Sequence, residues 1–130
     1  DTLDIDITYP SLGNIKAQGQ ITMDSPTQFK FDATTKGEND FHGRLTGTLQ
    51  RTEEAKEATE EARRRGITTQ AAQLLPGTWA VTMTNEDGQT SQGQMHFQPR
   101  SPYTMDIVAQ GTISDGRPIV GYGKATVKTP

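Results

Sequence analysis

What most constrains this chain is a period of two. Leu3, Ile5, Ile7 and Tyr9 alternate with Thr2, Asp4, Asp6 and Thr8, the pattern of a strand with one face buried and the other in water. Ile15, Ala17, Gly19, Ile21 and Met23 make a second inward row, Phe29, Phe31 and Ala33 a third, and Phe41, Gly43, Leu45, Gly47 and Leu49 a fourth. Turn-rich breaks separate them at Pro10 to Asn14, Asp24 to Pro26 and Lys36 to Asp40. Only 31% of the residues are apolar, so a core must come from alternation and not from long apolar runs.

The second half follows the same order. Its inward rows are Trp79, Val81 and Met83; Gly93, Met95 and Phe97; Tyr103, Met105, Ile107 and Ala109; and Ile119, Gly121, Gly123, Ala125 and Val127. Ser25-Pro26 recurs as Ser101-Pro102, Thr2-Leu3 as Thr78-Trp79, Gly19-Gln20 as Gly93-Gln94, and Gly43 falls on Gly121. Small drifts in spacing fit insertions and deletions at turns. "NEDG" at Asn85 to Gly88 and "SDG" at Ser114 to Gly116 are hairpin turns in which glycine accepts a positive φ. A four-strand meander cannot bury its apolar face alone, so a second copy is expected to cover the first.

The segment between the halves has a different composition. "RTEEAKEATEEARRRG" predicts a helix from Thr52 to Arg65, with Thr52 as N-cap, Glu53 and Glu54 in the first turn, Arg63 to Arg65 in the last, and Gly66 beyond it. Its apolar stripe is only Ala55, Ala58 and Ala62, so it reads first as a solvated linker helix that buries little; the stripe could also lie close to a sheet or meet a partner helix and build an oligomer. A second short helix is expected after Gly66, with Ile67, Ala71, Leu74 and Leu75 turned to the sheet. The fold expected is therefore all-β: eight antiparallel strands in two pseudo-repeated meanders, closed as a barrel or a clam-like sandwich, with a helical crossover. It forms one domain over 1–130, with repeats at 1–50 and 77–130 and the crossover at 51–76.

Composition removes several functions. Without cysteine there are no disulfides, thiolate nucleophiles or sulfur-rich metal sites. A net charge of −3 supplies no basic field for DNA or RNA, and no apolar run is long enough for a membrane-spanning helix. His42 and His96 lie on outward faces without metal-ligand spacing, and Asp4 and Asp6 share an exposed face with no apolar pocket to separate their pKa values. Neither Gly43-x-Leu45-x-Gly47 nor Gly121-x-Gly123-x-Ala125 is a phosphate-cradling fingerprint; their parity points them inward, where glycine lets a strand coil sharply, as closing a small barrel requires, or leaves space for a helix or ligand against the sheet. No catalytic residue, metal ligand or cofactor is assigned, and no enzymatic activity is expected.

Gly77-x-Trp79 in "LPGTWAV" resembles the G-x-W of the first strand of lipocalin-like barrels. The match covers three residues and falls on the fifth strand, without the later motifs of that family. As the lone tryptophan on an inward row, Trp79 reads first as a core plug. The bulky inward side chains Phe41, Trp79, Met83, Met95, Tyr103 and Met105 beside inward glycines are the candidate ligand-binding residues. The expected function is a non-catalytic binding protein holding an apolar small molecule in the barrel or clam interior; the alternative is an assembly module working through protein contacts. Opening on Asp1 and not on a methionine fits either a trimmed piece or a mature chain whose export signal has gone; the setting expected is extracytoplasmic, whether periplasmic, lipoprotein-anchored or secreted.

Overall fold

Each alternating row becomes a strand, and the strands pair in chain order. The structure, a computed structural model, describes residues 2–25, 27–37, 42–51, 75–101, 103–113 and 116–127. The strands are β1 (Thr2–Tyr9), β2 (Ile15–Ser25), β3 (Gln28–Lys36), β4 (His42–Gln50), β5 (Gly77–Asn85), β6 (Thr90–Ser101), β7 (Thr104–Ile113) and β8 (Pro118–Val127). All neighbours are antiparallel, and β1 pairs with β8 from Leu3↔Val127 to Thr8↔Tyr122, so the sheet closes into a barrel. Pairing of β4 with β5, from Leu45↔Asn85 to Gln50↔Ala80, settles barrel over sandwich. A sandwich would leave the two halves unbonded at one junction or both, exposing a row of unpaired backbone groups.

The turns follow their local chemistry. A 3₁₀ turn at Pro10–Leu12 ends on Gly13 in the left-handed region, and Gly88 and Gly116 adopt φ of 79° and 88° in the β5–β6 and β7–β8 hairpins. Ser25 Oγ accepts the Thr27 N–H at 3.4 Å, and Ser101 Oγ accepts those of Tyr103 and Thr104 at 3.2 and 3.1 Å. A register shift accompanies each serine, which lies opposite Gln28 in one half and Thr104 in the other. In both halves, then, the recurrent serine uses its side chain to satisfy the backbone of a tight turn. The turn also explains Tyr103, which parity assigns to the inward row of β7. It lies in the turn before β7 and is 57% exposed.

Three inward glycines mark places where neighbouring strands crowd together. A Cβ on Gly19, Gly93 or Gly123 would lie 1.9 Å from the carbonyl oxygen of Asp32, Gln110 or Asp6, so a side chain there would collide with backbone. These are corners of the barrel, where only glycine permits the sharp coil. The expected match of Gly43 with Gly121 is replaced: Ala33 lies opposite Leu45, and Ala109 opposite Gly121.

The interior is one apolar cluster, densest at the end where β1, β3, β5 and β7 begin. Leu3, Phe29, Leu49, Leu75 and Trp79 are fully buried there. The Trp79 ring meets Phe29 edge-on at 5.0 Å between centroids, and the Arg51 guanidinium lies 4.2 Å over its face. Trp79 Nε1 donates to the Leu75 carbonyl at 2.7 Å and Arg51 Nη1 donates to that of Pro76 at 2.6 Å, so both side chains of the plug are tied to nearby backbone. Burying such rings is worth about 1.5–3 kcal/mol each, before the aromatic and cation–π contacts are added. The predicted helix from Thr52 to Arg65, its Ala55, Ala58 and Ala62 stripe and most of the second helix lie outside the described residues, as does Phe41.

Candidate functional site

At the opposite end the inward rows stop short of filling the barrel. A cavity of about 330 Å³ opens between the end of β1, the start of β4, the β5–β6 hairpin, the end of β7 and the start of β8. Its apolar wall is Ile15, Leu45, Met83, Ile113 and Ile119; its polar groups are Tyr9, Thr35, Ser91 and Asn85. Gly43 and the exposed His42, Arg44, Glu86 and Asp87 stand around it.

Tyr9 is the best-placed polar group. It closes the inward row of β1, is 3% exposed, and its hydroxyl donates to Met83 Sδ at 3.9 Å. A thioether is a weak acceptor, so a strong donor is held at the cavity with little use. Burial pushes the Tyr9 phenol up to about 12, which keeps it protonated and donating through the neutral range. Gly121 makes room for the ring: a Cβ there would lie 2.7 Å from two ring carbons and 3.0 Å from Ile7 Cγ2.

Thr35 ends the inward row of β3 and Ser91 begins that of β6; both are buried and line the cavity. Ser91 lies directly across from Met83, and Thr35 from Gly43. Among the described residues no side-chain hydrogen bond reaches either hydroxyl. The rim is better ordered: Asn85 Oδ1 accepts the Asp87 and Gln89 N–H groups at 3.0 and 2.9 Å, and its amide donates to Gln89 Oε1 at 3.0 Å. On the outer wall Arg44 grips Asp32 through both carboxylate oxygens, at 3.0 and 2.5 Å, and holds that carboxyl below the usual range.

Of the residues singled out from the sequence, Met83 lines this cavity. Trp79 and Met105 are sealed in the core, Met95 is 1% exposed beside Val81 and Ala109, and Tyr103 points to solvent. Tyr9, Thr35 and Ser91 were missed as site residues. The signal available for the last two was a polar residue at the end of an inward row. His42 and His96 are exposed, as their parity implies, and His96 Nδ1 lies 2.9 Å from the Thr78 hydroxyl.

No protein-family model matches this sequence, and no curated protein matches it. Solved structures do match it in shape. A de novo designed fluorescence-activating β-barrel has a TM-score of 0.54 at 14% identity, covering 98% of this chain and 91% of its own. The redesigned β-barrel mFAP1 bound to DFHBI has 0.55 at 17%, covering 96% and 91%, and EF1p2_mFAP2b bound to DFHBI has 0.56 at 15%, covering 98% and 91%. The likeness is one of fold. It extends over nearly the whole chain.

Proposed function

We propose that this chain is a non-catalytic binding protein that takes one compact, mostly apolar molecule carrying a hydrogen-bond acceptor into the open end of the barrel. The observation that carries the reading is the Tyr9 hydroxyl, buried at a cavity of about 330 Å³ with, among the described residues, only a thioether to receive it. That volume lies at the lower end of small-molecule sites, and an apolar wall with a few convergent polar groups is their usual composition. Thr35 and Ser91 add two hydroxyls that a ligand with several polar atoms could use. Support from the neighbours is that two barrels of this shape are bound to DFHBI. The matching serine turns at Ser25 and Ser101 further support reading the two meanders as copies of one unit.

Titration with DFHBI and with a polarity-sensitive apolar dye tests the proposal. Saturable fluorescence is expected, lost when Leu45→Trp fills the cavity. Tyr9→Phe should weaken affinity about 3- to 10-fold, the worth of one hydrogen bond. Flat titrations with both probes, or a response indifferent to Leu45→Trp, would overturn it.

A further inference from the structure

Met83 differs from the other three methionines in what its sulfur faces. Met95 and Met105 are each 1% exposed, and Met23 packs against the core away from the open cavity. Met83 is 8% exposed, forms part of the cavity wall, and has the Tyr9 hydroxyl 3.9 Å from its Sδ. We propose that Met83 is a sulfoxidation site for hydroperoxides, and that the oxygen it acquires takes the Tyr9 hydroxyl away from the ligand.

A sulfur lone pair attacks one peroxide oxygen, the O–O bond breaks, and an S–O bond forms. Sulfur loses two electrons and the peroxide gains two. The transferred oxygen gives up its proton and the departing hydroxide takes one, so hydrogen peroxide leaves as water. A hydrogen-bonding group beside the sulfur that can give one proton and accept another speeds this exchange, which water otherwise carries. Tyr9 stands at that position, and its long contact with Sδ leaves a sulfur lone pair free to react. In the product, an oxygen carried on Sδ and directed off the line to the phenol, whose oxygen is 3.9 Å from the sulfur, comes within hydrogen-bond reach of Tyr9.

Oxidation turns a flexible apolar wall into a polar, chiral one. A strong acceptor for the Tyr9 hydroxyl is then supplied by the protein itself, and a ligand's acceptor must compete with it. The competition rests on the binding reading above; the order in which the methionines oxidise does not.

Graded hydrogen peroxide, followed by peptide mass mapping, tests the two parts separately. Met83 should gain its oxygen well before Met95 and Met105, and Tyr9→Phe should slow that step several-fold while leaving Met23 unchanged. In a Met23→Leu background, one oxygen on Met83 should weaken DFHBI binding tenfold or more, with the far-ultraviolet circular dichroism retained. In Met83→Leu, DFHBI binding at whatever level it shows should not respond to peroxide. If Met83 oxidises no earlier than Met95 and Met105, or at the same rate in Tyr9→Phe, the oxidation site is refuted. If it oxidises early but DFHBI binds as before, the competition is refuted. Absence of DFHBI binding before peroxide would refute the competition and count against the binding proposal, with the oxidation order still legible.

Discussion

At one end of the barrel Trp79, Phe29, Leu49 and Arg51 fill the interior to contact; at the other Tyr9, Met83 and Leu45 stand around about 330 Å³ of open volume. Both ends are built from the same alternating strands. The difference lies in how the rows terminate. The filled end finishes in two large rings, Phe29 and Trp79, and the one ring N–H, on Trp79, is bonded to the Leu75 carbonyl. The open end finishes in Thr35, Ser91 and Tyr9, whose hydroxyls find little within the protein. Stability is thus concentrated at the first end and open volume at the second, so if the proposed binding holds, substitutions should separate stability from binding.

The largest effect is expected from Trp79→Ala, which removes a fully buried ring together with its contacts to Phe29 and Arg51. A loss of about 3–5 kcal/mol is expected in denaturant unfolding. A loss below about 1 kcal/mol, the scale of an ordinary surface change, would mean that the filled end is not the anchor.

Alkaline pH probes the open end. The Tyr9 phenol has a higher pKa folded than unfolded, so its contribution is complete below pH 10 and is lost as pH rises to about 12. The wild type should therefore lose roughly 2–3 kcal/mol more than Tyr9→Phe across that window, at about 1.4 kcal/mol per unit. Parallel unfolding curves for the two proteins would deny Tyr9 its buried setting.

Gly121→Ala sharpens the comparison, because its Cβ would meet the Tyr9 ring at 2.7 Å. Overpacking of this kind costs about 1–3 kcal/mol. The displaced hydroxyl should also weaken probe binding, an effect that Trp79→Phe at the filled end should not share. Equal effects of the two variants on binding would show that the ends are not separable.

The smallest effect belongs to the outer wall. Asp32→Asn breaks the exposed pair with Arg44, and exposed pairs contribute little. A melting temperature within a degree or two of wild type is expected, with probe affinity unchanged.

Much of the architecture was legible because side-chain direction in a strand depends only on parity. The rows through Leu3, Ile5 and Ile7 and through Trp79, Val81 and Met83 are buried as alternation implies. Parity failed at Tyr103, because the Ser101 side chain turns the backbone just before β7 begins. It was silent on Thr35 and Ser91, since a polar residue ending an inward row looks the same whether the row has left the core or borders a cavity. Of the inward glycines, Gly19, Gly93 and Gly123 take the coiling role, marking corners where backbones touch.

The sequence by itself therefore determined the strands, their inward faces, the hairpin turns at Gly88 and Gly116, and the burial of Trp79, because these depend on period, turn chemistry and size within a few neighbouring residues. Only the tertiary structure decided that the sheet closes as a barrel, that Trp79 plugs one end, and that Tyr9, Met83, Thr35 and Ser91 share a cavity at the other. Those residues come from β1, β5, β3 and β6, and their meeting depends on strand register and on closure across β4–β5 and β8–β1. Register summed around a closed sheet is a property of all eight strands together, which no local pattern carries.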